Sequence, residues 1–129
     1  MSKLARILYG ESDAQVLAAQ KKMFEVAGYV VVTALGRKEI EAALKHSDFG
    51  VVVLGHTLTR DDRHHLPYMA KKQNPATRVL VLHASGKHPG VDLSLDSRDG
   101  EHRVLAAMAT LLAVPDTRRV SRSVAVGAA

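Results

Sequence analysis

The residues of this chain that could do chemistry fall into a few groups. Glu11, Ser12 and Asp13 follow an apolar run. A second run, Val51-Val52-Val53-Leu54, stops at Gly55-His56-Thr57 and brings His56, and His83 ends a third, RVLVL. In an open parallel α/β sheet, ligands and catalytic groups collect where strands reach their carboxyl edge. If these strands lie side by side, Glu11, Asp13, His56 and His83 converge there. Two imidazoles with carboxylates suit zinc or nickel, so Glu11, His56 and His83 are the candidate metal ligands. Their separation in sequence lacks the tight spacing of a strong metal motif, and polar residues filling a surface site are the weightier reading. Nucleophilic catalysis finds no recognisable nucleophile–base pair, which argues against an enzyme. There is no cysteine, which excludes disulfides and thiolate metal sites.

Other polar groups have structural readings. Asp61-Asp62 enter a helix, where carboxylates complement the helix dipole. His64-His65 are adjacent and cannot share a helix face as ligands four apart do. Ser85-Gly86-Lys87 lacks the glycine pattern of a phosphate cradle.

The elements that must position these residues alternate in type. Lys3–Tyr9 reads as a strand, Gly10–Asp13 as a turn, and Ser12 or Asp13 as the cap of a helix carrying Val16, Leu17, Gln20, Met23, Phe24 and Ala27. Gly28 is placed to end that helix in a left-handed conformation. Tyr29–Ala34 is a second strand. Gly36–Lys45 is a second helix, with Ile40, Ala43 and Leu44 inward. Phe49–Leu54 is a third strand, apolar on both faces. A third helix lies within Thr59–Gln73, with Pro67 expected in its first turn. Arg78–His83 is a fourth strand and Val91–Leu95 a short fifth. The last helix carries Val104, Leu105, Met108, Leu111 and Leu112.

Strands alternating with helices predict an α/β three-layer sandwich around a central parallel sheet of about five strands. A parallel crossover needs about a dozen residues, usually with a helix, yet residues 84–90 (ASGKHPG) show no helical period. Either the fourth helix is missing or reduced, or the fifth strand does not join in the usual way. Loss of that helix would uncover apolar sheet surface for a partner.

At 129 residues, 47% of them apolar, the chain suits one domain, placed at 1–114, with a basic tail at 115–129 expected to be disordered. Net charge is +5, with Arg118, Arg119 and Arg122 in that tail and no basic face, so nucleic acid is not the expected partner. The N-terminus does not read as a signal peptide, and no stretch approaches the roughly 18 apolar residues of a membrane span. Both fit a cytoplasmic protein.

Arg6-Ile7-Leu8 before a short acidic turn, Ala27-Gly28-Tyr29-Val30-Val31, Asp48–Leu54 and Thr77–Leu82 together resemble a bacterial two-component response-regulator receiver domain, over about residues 4–114. The resemblance implies a flavodoxin-like fold. It also implies a magnesium ion held between an acidic pair after the first strand and a phosphoacceptor aspartate after the third. Glu11 and Ser12 match the acidic pair, with Asp13 beside them. The phosphoacceptor falls on Gly55, the switch hydroxyl on His83, and the phosphate-pairing lysine near Leu95.

The expected molecule is therefore a degenerate receiver without aspartyl phosphorylation and without a cofactor. It would act in bacterial signal transduction by contact with another signalling protein or with a second copy of itself. The alternative is a small ligand- or metal-binding domain built on the altered pocket around Glu11, Gly55, His56 and His83. A carboxylate moved in to substitute for the lost aspartate would overturn the degenerate reading.

Overall fold

A computed structural model describes residues 6–82, 91–96 and 100–113. The elements run β1 (Arg6–Glu11), α1 (Ala14–Val26), β2 (Val30–Leu35), α2 (Gly36–His46), β3 (Val51–Leu54), α3 (Arg60–Gln73), β4 (Arg78–Leu82), β5 (Leu93–Leu95) and α4 (Glu101–Ala113). The sheet is wholly parallel in the order β2-β1-β3-β4-β5. The α/β three-layer sandwich is as predicted.

Strand alternation builds the two helical layers. Ile7, Tyr9, Val51, Val53, Leu80 and Leu82 face α1 and α4, meeting Leu17, Phe24, Val104, Met108 and Leu111. Leu8, Val52, Leu54, Val79 and Val81 face α2 and α3, meeting Ile40, Leu44, Leu66 and Ala70. All four residues of β3 are buried, because β3 lies between β1 and β4 with helices on both sides.

Two sequence expectations change. β1 does not turn at Gly10. Gly10 and Glu11 continue the ladder, pairing with Ala34 and Leu35 of β2. A Cβ on Gly10 would collide with the Ile40 side chain, so the glycine lets α2 pack closely there. Second, Pro67 sits inside α3, as its eighth residue, and is buried. Thr59 caps that helix, accepting from Asp62 N–H at 3.1 Å. Proline in a helix interior costs about 3 kcal/mol, a cost set here against burial of Leu66, Pro67 and Ala70 on one side.

β4 is described over Arg78–Leu82. His83 and the 84–90 segment lie outside the described residues, as do Lys3–Ala5 and the 115–129 tail. Of the two alternatives left open for the last strand, β5 joins in the usual way, parallel to β4 with Leu82 opposite Leu95, though it holds only Leu93–Leu95. Among the described residues no helix falls between β4 and β5. What anchors the entry to β5 is Asp92. Its N–H donates to Val79 O at 2.9 Å, and its Oδ2 accepts from Val79 N–H and Lys71 Nζ, each at 2.7 Å.

Among the described residues no helix is long and apolar enough to cross a membrane.

Candidate functional site at the carboxyl edge of the sheet

Glu11 is the last residue of β1 and is 0% exposed. Two elements supply its partners. The Tyr9 hydroxyl, two residues back on the same strand face, donates to Glu11 Oε2. Thr57, in the loop after β3, donates twice to Oε1: from its N–H at 3.0 Å and its hydroxyl at 2.6 Å. An ionised carboxylate only accepts, so three donors on two oxygens make this a well-satisfied burial of a costly group.

Thr57 is the hub. Its hydroxyl oxygen also accepts from the backbone N–H groups of Ser12 (2.8 Å) and Asp13 (3.1 Å). The loop after β1 is thus clipped to the loop after β3 through one side chain. Gly55 N–H adds a bond to Gly10 O at 2.9 Å.

The role of Gly55 follows from what surrounds it. A Cβ built there would fall inside the Glu11 carboxyl group, overlapping its carbon and both oxygens. The backbone is not the reason for glycine: among the described residues the glycines at positive φ are Gly28, Gly36 and Gly100. Gly28, at +100°, does end α1 as expected. Gly55 is glycine because Glu11 occupies the space its side chain would need.

Tyr9 is also fully buried, edge-on to Phe24 with ring centroids 5.4 Å apart. Burial, then the Glu11 hydrogen bond and charge, push its phenol well above the ordinary tyrosine range. The hydroxyl is therefore held protonated as a donor.

The remaining expected site residues disperse. Asp13 turns away from the site and caps α1, its Oδ1 accepting from Gln15 N–H (2.8 Å) and Val16 N–H (3.1 Å). Ser12 is exposed and contributes its backbone N–H. Leu95 lies in β5, half-buried against the core on the α1–α4 side. His56 is half-exposed, and its Nδ1 is buried with no hydrogen-bond partner. His83 lies outside the described residues.

Among the described residues no three His, Cys, Asp or Glu side chains come together to hold a metal ion. The magnesium site implied by the resemblance is not matched either. Glu11 offers oxygens already taken by three donors, Gly55 offers no side-chain oxygen, and magnesium demands near-ideal octahedral oxygen geometry. The pocket expected around Glu11, Gly55 and His56 is thus filled by Glu11 itself. The Glu11 carboxylate stands in the space a Gly55 side chain would need, fully buried with both oxygens bonded inward, and so is not an accessible acceptor.

Sequence reasoning did not single out Tyr9 or Thr57 as site residues. Tyr9 was within reach, since strand positions two apart share a face. For Thr57 the sequence offered only its position beyond the strand end.

No family model matches the sequence, and no curated protein matches it. Solved structures do match in fold. One is the CheY-like response regulator receiver domain protein of Methanospirillum hungatei JF-1, at 22% identity and TM-score 0.72, covering 83% of this chain and 92% of that one. Another is the chemotaxis response regulator CheY4 of Vibrio cholerae, at 17% and 0.72, covering 82% and 97%. The beryllofluoride-activated NtrC4 receiver domain dimer matches at 22% and 0.72, covering 84% and 96%. The chain has the fold of response-regulator receiver domains.

Proposed function

We propose that this chain is a receiver-like interaction module in which a buried glutamate has replaced phosphorylation. The observation that carries the reading is the exchange between Glu11 and Gly55: the residue expected to bear the phosphoryl group has no side chain, and a neighbouring carboxylate fills its space. A phosphoryl acceptor must be an accessible nucleophile. Gly55 has none, and Glu11 is 0% exposed with both oxygens engaged.

Glu11 and Thr57 tie together the loops after β1 and β3. Those bonds belong to the ground state of the fold and require no modification. Signalling then depends on which protein docks and how abundant the module is, with another signalling protein or a second copy as the partner. The NtrC4 receiver, of the same fold, forms a dimer, which favours a second copy among these partners.

Titration with beryllofluoride and magnesium, and incubation with acetyl phosphate, test this. Backbone amide resonances of Glu11, Gly55 and Thr57 should stay in place, with no gain in mass. A saturable shift centred on Glu11, or a covalent phosphate on this chain, would overturn the reading.

A further inference from the structure

Strand β2 is one edge of the sheet, and among the described residues it pairs with β1 alone. Its sequence, VVVTAL, has no charge, no proline and no glycine. Natural sheets usually blunt such an edge with a charge, a proline, a bulge or a cover. The other edge is blunted: β5 has only three residues, bracketed by Asp92 and Asp96. Among the described residues the exposed large apolar ones are Val26, Val30, Leu35 and Tyr68, and two of these are the ends of β2, Val30 at 54% and Leu35 at 39%.

The free length of this edge is set at one end. Leu35 N–H donates to the Glu39 carboxylate at 2.8 Å, which leaves residues 30–34 to pair, centred on Val32. An antiparallel copy of the same segment about a two-fold axis at Val32 is self-complementary. It sets Val32 against Val32 of the partner subunit, Val31 against Thr33 of the partner subunit, and Val30 against Ala34 of the partner subunit. No charges face each other, and β-branched cross-strand pairs are favourable. A two-fold pairing of this kind closes on itself, and the short acidic β5 disfavours head-to-tail growth into fibres.

We infer that β2 is an interaction edge whose partner is β2 of a second copy of this chain, paired antiparallel about Val32 to make one ten-stranded sheet. Five paired residues span about 17 Å, and a ladder of that size buries less than the roughly 800 Å² per partner of a standard interface. The dimer is therefore weak and concentration-dependent. It rests on the fold alone and stands or falls independently of the Glu11–Gly55 exchange.

The chain has no cysteine, which makes a clean cross-linking test. In a non-hydrogen-bonded antiparallel pair the Cα atoms lie about 4.5 Å apart, inside the range a disulfide spans. Under mild oxidation Val32→Cys should give a covalent dimer much faster than Tyr68→Cys, which lies on α3. Sedimentation of the unmodified chain between about 5 and 500 µM should show monomer passing to dimer, and Val30→Lys should weaken it about fivefold. A monomer throughout that range, with Val32→Cys oxidising no faster than Tyr68→Cys, would overturn the inference. So would a dimer indifferent to Val30→Lys.

Discussion

Tyr9 and Thr57 determine whether a carboxylate can be buried at the end of β1. Each supplies donors that would otherwise come from water, and burying Glu11 without them would cost several kcal/mol. The same burial marks Tyr9 by its response to alkali. Its folded pKa is raised above the ordinary value near 10. Below pH 10 both folded and unfolded states keep the phenolic proton, and Tyr9 adds no pH dependence. Above pH 10 the unfolded chain releases it while the folded chain holds it. Stability should then fall by up to about 1.4 kcal/mol per pH unit from this group. Urea unfolding between pH 9 and 11 should show that decline, and Tyr9→Phe should flatten it. An equal decline in Tyr9→Phe would mean that the buried phenol is not its source.

At the scale of elements, the unusual part is the entry to β5. Asp92 grips Val79 through both its backbone N–H and its carboxylate, and the Lys71 ammonium joins it to α3. Asp92→Ala should destabilise the domain by about 2–3 kcal/mol, because Val79 N–H loses its acceptor and Lys71 its charged partner. Hydrogen exchange at Leu93–Leu95 should accelerate more than in β1 or β3. Uniform acceleration across the sheet would show that Asp92 supports the fold generally and does not hold β5 in particular.

This contact also shows where the sequence was readable. The apolar runs of β1, β3 and β4 and the capping and glycine signals of α1 were legible because they are local. Asp92 was not, because its partners Val79 and Lys71 become neighbours only when the sheet forms. Pro67 misled for a related reason: its helical cost is local, while the packing that offsets it is tertiary. Gly10 read as a turn because composition cannot reveal Ile40 pressing against it.

Across the whole molecule, the core divides cleanly by strand parity into an α1–α4 side and an α2–α3 side. That division was implicit in the alternation of types, so the architecture was open to inspection. The site was legible only by what it lacked. That Gly55 offers no side-chain oxygen or nucleophile could be read directly. That Glu11 fills the space beside Gly55 could not, since it depends on how far β1 runs before turning and on the direction of one side chain. The fold is that of receiver domains, with Glu11 and Thr57 filling the carboxyl edge between β1 and β3.

That arrangement is tested most directly by a double-mutant cycle at Glu11 and Gly55, read by urea unfolding. Gly55→Ala in the natural sequence must expel a buried, triply bonded carboxylate. In the Glu11→Ala background the same methyl group enters space that has been cleared, and the substitution should be neutral or slightly stabilising. The account predicts a coupling of about 2 kcal/mol or more between the two positions. Additivity within about 0.5 kcal/mol would mean that the two residues do not share the space, and would contradict it.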